Sequence, residues 1–154
     1  MKTQLFALLL LVLCHVQGQS PSEEAIKSTI EDFFEGFHKR DTSQMRSVLS
    51  EHLTMQRIGK DADGIPYLKD ESIDDFLTSM ASLPDTLKIE ERLHSFTILT
   101  DGAMAEAWTP YSLYVQGTLH HCGVNSFQLF HDGNSWKIIY LVDTRQVTGC
   151  PESE

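Results

Sequence analysis

The strongest constraint on this chain is the stretch from Thr118 to Arg145, TLHHCGVNSFQLFHDGNSWKIIYLVDTR, in which two arms rich in β-branched and aromatic residues flank Asp132, Gly133 and Asn134. Such arms favour extended backbone, and Asp-Gly-Asn supplies residues that tolerate the positive φ of a tight turn, so the stretch predicts a long antiparallel hairpin. Setting Leu129 opposite Ile138 puts Phe127 opposite Tyr140 and Asn125 opposite Val142, because successive side chains alternate between faces. One face then carries His121, Asn125, Phe127, Leu129, Ile138, Tyr140 and Val142, apolar with two polar groups near one end. The other carries Cys122, Ser126, Gln128, Lys137, Asp143 and Arg145, mixed with apolar residues. A slip of one residue would exchange the faces of one arm.

At the other end of the chain, Lys2, the apolar run Leu5 to Leu13, and then Val16, Gln17 and Gly18 have the layout of a secretory signal. This reading makes residues 1–18 a leader, 19–150 a single domain and 151–154 a tail, with a secreted or periplasmic location. The apolar run falls short of the ~20 residues that span a bilayer. Leu13 before Cys14 differs from the small residue that lipoprotein processing usually takes. The formal net charge of −10 becomes one unit more negative once Lys2 is removed. That balance disfavours nucleic acid or an anionic membrane as partner, since either needs a basic footprint. Cys122 and Cys150 remain in a compartment that permits disulfides. In the register above Cys122 faces Arg145, so Cys150 reaches it only if the chain folds back, and the paired and free states both stay open.

The segment after the leader reads as helices. Ser20, Pro21 and Glu23 place an N-cap, a first-turn proline and a capping-box glutamate, and Ile26, Ile30, Phe33, Phe34 and Phe37 form an apolar stripe. Asp41 with Gln44 starts a second short helix with Met45, Val48 and Leu49 on its buried side. Leu53 to Ile58 predicts a short strand, and Lys60 to Pro66 a loop. A third helix runs from Ile73 to Leu83, capped by Ser72 and ended by Pro84. From Leu87 onward the pattern is strand, with turns at Asp101-Gly102 and Gln116-Gly117. Leu87, Ile89 and Leu93 keep one parity and Phe96 and Ile98 the other, which predicts a bulge that bends the sheet. Helices followed by antiparallel strands predict an α+β domain with the helices covering one side of the sheet.

The order of elements, with WTPY (Trp108 to Tyr111), HCGVN (His121 to Asn125), WKI (Trp136 to Ile138), DTR (Asp143 to Arg145) and a final Cys150, resembles the nuclear transport factor 2-like superfamily. Within it the chain is similar to the secreted bacterial group named for lumazine binding. The resemblance spans residues 22 to 150 and implies a cone: a strongly curved sheet around the N-terminal helices, with a pocket at the wide end and dimers common. The superfamily includes ketosteroid isomerase, scytalone dehydratase and SnoaL-type cyclases, so fold alone does not select a reaction.

Isomerases and cyclases on that fold use a carboxylate as base and a donor for the developing enolate. The candidate carboxylates are Asp32, Glu106 and Asp143. Asp32 beside the apolar stripe also reads as a solvated helix residue. Glu106, alternating with alanines, also reads as facing water on the convex side. Asp143 and Arg145 share a strand face, which also suits a structural ion pair. His121 and Asn125 share a face with Phe127 and suit the polar rim of an aromatic cup, although a core histidine bound to a carbonyl is equally consistent. Trp108 and Tyr111 have opposite parity, so a bulge at Pro110 is needed to bring both toward the pocket as a stacking wall, and core packing also accounts for either ring. Adjacent strand residues face opposite ways, so His120 and Cys122 alone could share a metal and no second ligand pair completes a tetrahedron. No phosphate loop or nucleophile elbow is present, and no cofactor is implied.

These residues lead to one reading and two alternatives. The first is noncatalytic binding of a small planar organic molecule by Trp108, Tyr111, His121, Asn125, Asp143 and Arg145, in a homodimer formed through the exposed sheet face. The second is an isomerase, cyclase or dehydratase with Asp143 or His121 as base and Tyr111 as donor. The third is a structural or protein-interaction module whose cone is filled by side chains.

Overall fold

The structure, a computed structural model, describes residues 21–151. The leader, the Ser20 cap and the tail from residue 152 lie outside the described residues. In chain order the elements are α1 (Pro21–Lys39), α2 (Thr42–Ser47), β1 (Leu49–Lys60), β2 (Pro66–Glu71), α3 (Ile73–Ser82), β3 (Ile89–Leu93), β4 (Thr97–Asp101), β5 (Met104–Val115), β6 (Thr118–His131) and β7 (Trp136–Thr144). The strands form one curved, open sheet in the order β2-β1-β7-β6-β5-β3, with β4 paired to β5 beyond the end of β3. The α+β class follows from this order.

Local chemistry sets the helix ends. Asp41 Oδ1 accepts the Gln44 N–H at 2.9 Å to cap α2, and Ser72 Oγ accepts the Asp75 N–H at 3.2 Å to cap α3. The stripe of α1 is buried throughout, and Phe34 meets Phe127 of β6 edge to face with ring centroids 6.2 Å apart. Each fully buried ring of this kind contributes about 1.5–3 kcal/mol, so the concave face of the sheet and α1 stabilise each other.

Two features differ from the sequence reading. First, β1 is longer than expected and pairs in parallel with β7, making the sheet mixed rather than wholly antiparallel. Nearly the whole domain lies between these strands, ample chain for the crossover that parallel pairing needs. Second, the expected loop ends at Pro66 and the next residues, assigned no element from the sequence, form an edge strand, Pro66–Glu71. All of β2 except Glu71 is exposed, so it has no buried face and no apolar alternation to reveal it.

Three irregularities shape the site. Leu93 pairs with Tyr111 but Thr97 with Trp108, so residues 94–96 hold one more residue than β5 opposite them, as the parity change predicted. Pro110 sits inside β5 beside this break, where its missing N–H disturbs no ladder partner, and its carbonyl accepts the His94 N–H at 2.8 Å. In β6, Leu113 pairs with His121 and Tyr114 with Leu119, leaving His120 as an extra residue. In β7, Leu129 pairs with Ile138 as expected, but Gln128 pairs with Tyr140, so Ile139 is extra. The expected Phe127–Tyr140 and Asn125–Val142 pairs are therefore replaced by Phe127–Leu141 and Asn125–Asp143. This single bulge moves Asp143 to the inner face beside Asn125.

Candidate functional site

The inner face of the sheet changes character along its length. Beneath α1 it is closed and apolar, with Ala107, Phe127, Leu129 and Ile138 all 0% exposed. Beyond them it turns polar and lines a cavity of about 100 Å³. Phe33, Phe34 and Phe37 of α1 and Phe76 of α3 form its apolar wall, with Phe37 and Phe76 stacked at 6.3 Å. Arg57, Glu71, Glu91, Tyr111, His121, Asn125, Asp143 and Arg145 supply the polar side, each from the inward parity of its strand or strand end.

Tyr111 is positioned by a glycine. It pairs with Gly123 across β5 and β6, and a Cβ at Gly123 would overlap the Thr144 carbonyl oxygen and come within 3.1 Å of the tyrosine ring. The absent side chain lets the phenol cross β6 and donate to the Thr144 carbonyl at 3.0 Å, with Asp143 Oδ2 3.4 Å away. Burial, with the charges of Glu91 and Asp143, raises the Tyr111 pKa and keeps it a phenol.

His121 packs edge-on against Tyr111 at 5.7 Å. Burial, then the charges of Arg145, His120 and Arg57, lowers its pKa to about 4, so the imidazole is neutral at physiological pH. The extra residue in β6 turns His120 toward it, and their Nδ1 atoms lie 2.8 Å apart, one donating and one accepting. The expectation that these neighbours face apart is thereby corrected.

Asn125 donates through Nδ2 to Glu91 Oε1 at 2.7 Å. Glu91 is held from the other side by His38 of α1, whose Nε2 lies 2.9 Å from its backbone nitrogen and 3.0 Å from its backbone oxygen. Desolvation above all pushes the Glu91 pKa up to about 8, with Asp143 adding to the rise while Asn125 and Arg145 oppose it. Glu91 is thus a neutral carboxylic acid near pH 7. Its sequence signal was its parity, shared with Ile89 and Leu93, which places a charged residue type on a buried strand face.

Asp143 pairs with Arg57, not with its strand neighbour Arg145: Arg57 Nε lies 3.4 Å from Asp143 Oδ1. Arg57 arrives through the parallel register that sets it opposite Asp143, and its Nη1 donates to Glu71 Oε1 at 2.9 Å. Burial raises the Asp143 pKa, and Arg57 and Arg145 pull it back. Arg145 lines the cavity, is exposed, and makes no ion pair among the described residues.

Of the proposed lining, Tyr111, His121, Asn125, Asp143 and Arg145 converge on the cavity. Trp108 does not. It lies on the outer face, 48% exposed, because Thr109 and Ala107 take the inward parity and the irregularity beside Pro110 falls past it. Asp32 and Glu106 are exposed and away from the cavity. Cys122 also points outward, where it is joined to Cys150 by a disulfide after Gln146 pairs back onto it.

No family model matches the sequence, and no curated protein matches it. Solved structures are similar in fold. An NTF2-like protein from Cytophaga hutchinsonii aligns with a TM-score of 0.66 and 11% identity, over 82% of this chain and 100% of that one. An NTF2-like protein of unknown function from Shewanella baltica aligns with a TM-score of 0.57 and 15% identity, over 85% and 100%. A cystatin-like fold from Nostoc punctiforme gives a TM-score of 0.65 at 10% identity, over 84% and 95%. The chain therefore has the NTF2-like, or cystatin-like, fold. At these identities the likeness carries the fold alone.

Proposed function

We propose that the chain is an exported domain that binds a small, planar organic molecule in the cavity at the wide end of the cone. The observation that carries this is the pairing, in one cavity, of a phenylalanine wall with a convergent polar side, the combination that orients a flat ligand. The similarity to the lumazine-binding group would call for a fused bicyclic ligand. A cavity of about 100 Å³ is smaller than the ~150 Å³ apolar cavity that accommodates benzene, so one ring already fills it and any substituent lies at its open side, where Arg145 is exposed. Export is supported by the leader pattern and by a disulfide of the kind that persists outside the reducing cytosol. A homodimer is supported by Met104, Trp108 and Phe130, 60%, 48% and 47% exposed on the outer face. Native mass spectrometry of the exported chain, purified without reductant, tests the binding reading: a nonprotein mass released on denaturation is expected, and bare protein that also fails to bind any single-ring compound in a ligand screen would sink it.

A second reading is favoured by the Glu91 and Asp143 pair. Two carboxyl groups in one cavity, one held as acid and one beside a guanidinium, form an arrangement suited to acid-base catalysis of an isomerisation or dehydration. It expects the protein to exchange an acidic C–H of its ligand with deuterium from solvent, and Asp143→Asn to stop the exchange. Exchange at the uncatalysed rate with wild-type protein would leave binding alone.

A further inference from the structure

We propose that the cavity is a receptor for a small organic anion, a single ring bearing one carboxylate, with the ring against the phenylalanine wall and the carboxylate on Arg57 and Arg145. This deepens the binding reading above and rests on it.

Two guanidinium groups border the polar side of the cavity. Arg57 is set opposite Asp143 by the parallel pairing of β1 and β7. Arg145 follows Asp143 by two residues, and its backbone N–H donates to the carbonyl of Ile58, next to Arg57, at 3.3 Å. Neither guanidinium is fully used. Arg57 gives Nη1 to Glu71, but its Nε is buried and has no hydrogen-bond acceptor, the 3.4 Å approach of Asp143 being charge proximity without hydrogen-bond geometry. A buried donor left without an acceptor carries an energetic cost, which a ligand oxygen would remove once the guanidinium turns this N–H toward the cavity. Arg145 has no carboxylate within ion-pair distance among the described residues, and its exposure leaves it reachable.

Charge balance points the same way. Glu71 and Asp143 match the two guanidinium groups, and Lys69 adds a third cation on Glu71 at 3.1 Å, so the polar side is about one charge positive if the third carboxyl is uncharged. Glu91 meets that condition near neutral pH. His121 is neutral there as well, and Tyr111 keeps its proton. A ligand carboxylate therefore meets one uncommitted cation and one unsatisfied N–H. A cationic ligand would meet an unpaired Arg145 and an Asp143 already engaged. The net charge of −10 opposes any anion at long range, but salt screens that beyond about 8–10 Å. Guanidinium forks are suited to carboxylate geometry, which is the contact that an uncharged isostere lacks.

The test is a titration of the exported, disulfide-intact chain with benzoate and with benzamide at neutral pH and about 0.15 M salt, followed by amide and arginine Nε–H resonances. Benzoate is expected to bind at least about tenfold more tightly, a difference of about 1.4 kcal/mol, and to shift the Arg57 Nε–H and the Asn125 side-chain amide. Arg145→Gln is expected to abolish the preference and Arg145→Lys to retain part of it. Equal affinity for the two compounds, or a preference untouched by Arg145→Gln, overturns the anion inference while leaving the binding reading in place. Shifts from neither compound overturn the anion inference, and the binding reading falls with it only if the native mass spectrum also shows bare protein and the wider single-ring screen is negative. Should Arg145→Gln fail to fold, the benzoate-to-benzamide ratio and the Arg57 Nε–H shift of the native chain decide the matter by themselves.

Discussion

The side-chain amide of Asn125 donates to Glu91 Oε1 at 2.7 Å while the Asn125 backbone pairs directly with Asp143. One residue of β6 thus ties together two of the three carboxyl groups of the cavity, Glu91 and Asp143, from strands on opposite sides of it. The amide bond stabilises the charged form of Glu91, yet desolvation outweighs it and holds the group as an acid.

This has a consequence for stability against pH. Glu91 has a folded pKa of about 8 and an unfolded value of about 4.3. Between these the native state binds the extra proton, so stability falls as pH rises, by at most about 1.4 kcal/mol per unit. His121 acts oppositely: with a folded pKa of about 4 and an unfolded one of about 6.5, it is neutral when folded and charged when unfolded, so stability rises with pH through that window. The two slopes offset each other below about pH 6.5, and a net decline remains from there to about pH 8. Glu91→Gln is expected to remove that decline, read as urea unfolding free energies at three pH values. A wild-type profile that stays level from pH 6.5 to 8 counts against a neutral Glu91.

Gly123 and Tyr111 should fail in different ways. Gly123→Ala forces a methyl group onto the Thr144 carbonyl oxygen and is expected to cost about 1–3 kcal/mol or more, and to displace the Tyr111 ring. Tyr111→Phe keeps the ring and loses the 3.0 Å bond to that carbonyl, at about 1 kcal/mol. Chemical denaturation orders the two. Equal costs would mean that the close approach at Gly123 is not under strain when filled.

Asp143→Asn leaves Arg57 with Glu71 as its only carboxylate partner among the described residues. Removing this half-buried charge is expected to cost about 1–3 kcal/mol. A melting temperature unchanged by the substitution would assign Asp143 to ligand or chemistry rather than to the fold.

The disulfide closes a loop across a sequence separation of 28 residues. Reduction, or Cys150→Ser, is expected to lower stability by about 2–4 kcal/mol. The cavity should keep its form, because Cys122 points to the outer face and the cavity residues to the inner one. Comparing urea midpoints with and without reductant gives the first figure, and the Asn125 amide resonance reports on the second.

On the outer face, Trp108→Thr with Phe130→Thr retains β-propensity and removes two exposed rings. Sedimentation should show the proposed dimer become a monomer with little change in fold stability. A wild-type chain that is monomeric at all concentrations removes the dimer from the account.

The sequence by itself determined the elements whose residues repeat with one period: the stripe of α1, the caps Asp41 and Ser72, the hairpin around Gly133 and the α+β order. Each is a local matter of periodicity, capping or turn geometry. It also carried the parity change near Phe96, because an apolar residue on the wrong side is visible in the string. What only the tertiary structure decided is which polar residues meet. The extra residue Ile139 turned Asp143 inward and Tyr140 outward, and nothing in the string KIIYLVD marks where a bulge falls, since apolar residues occupy both parities. The exposed strand β2 had no buried face to betray it, and Arg57 reached Asp143 only through a parallel pairing of strands far apart in sequence. Those are long-range choices, settled by how the whole sheet packs on α1, and they placed Glu91 and Asp143 in one cavity and left Trp108 outside it.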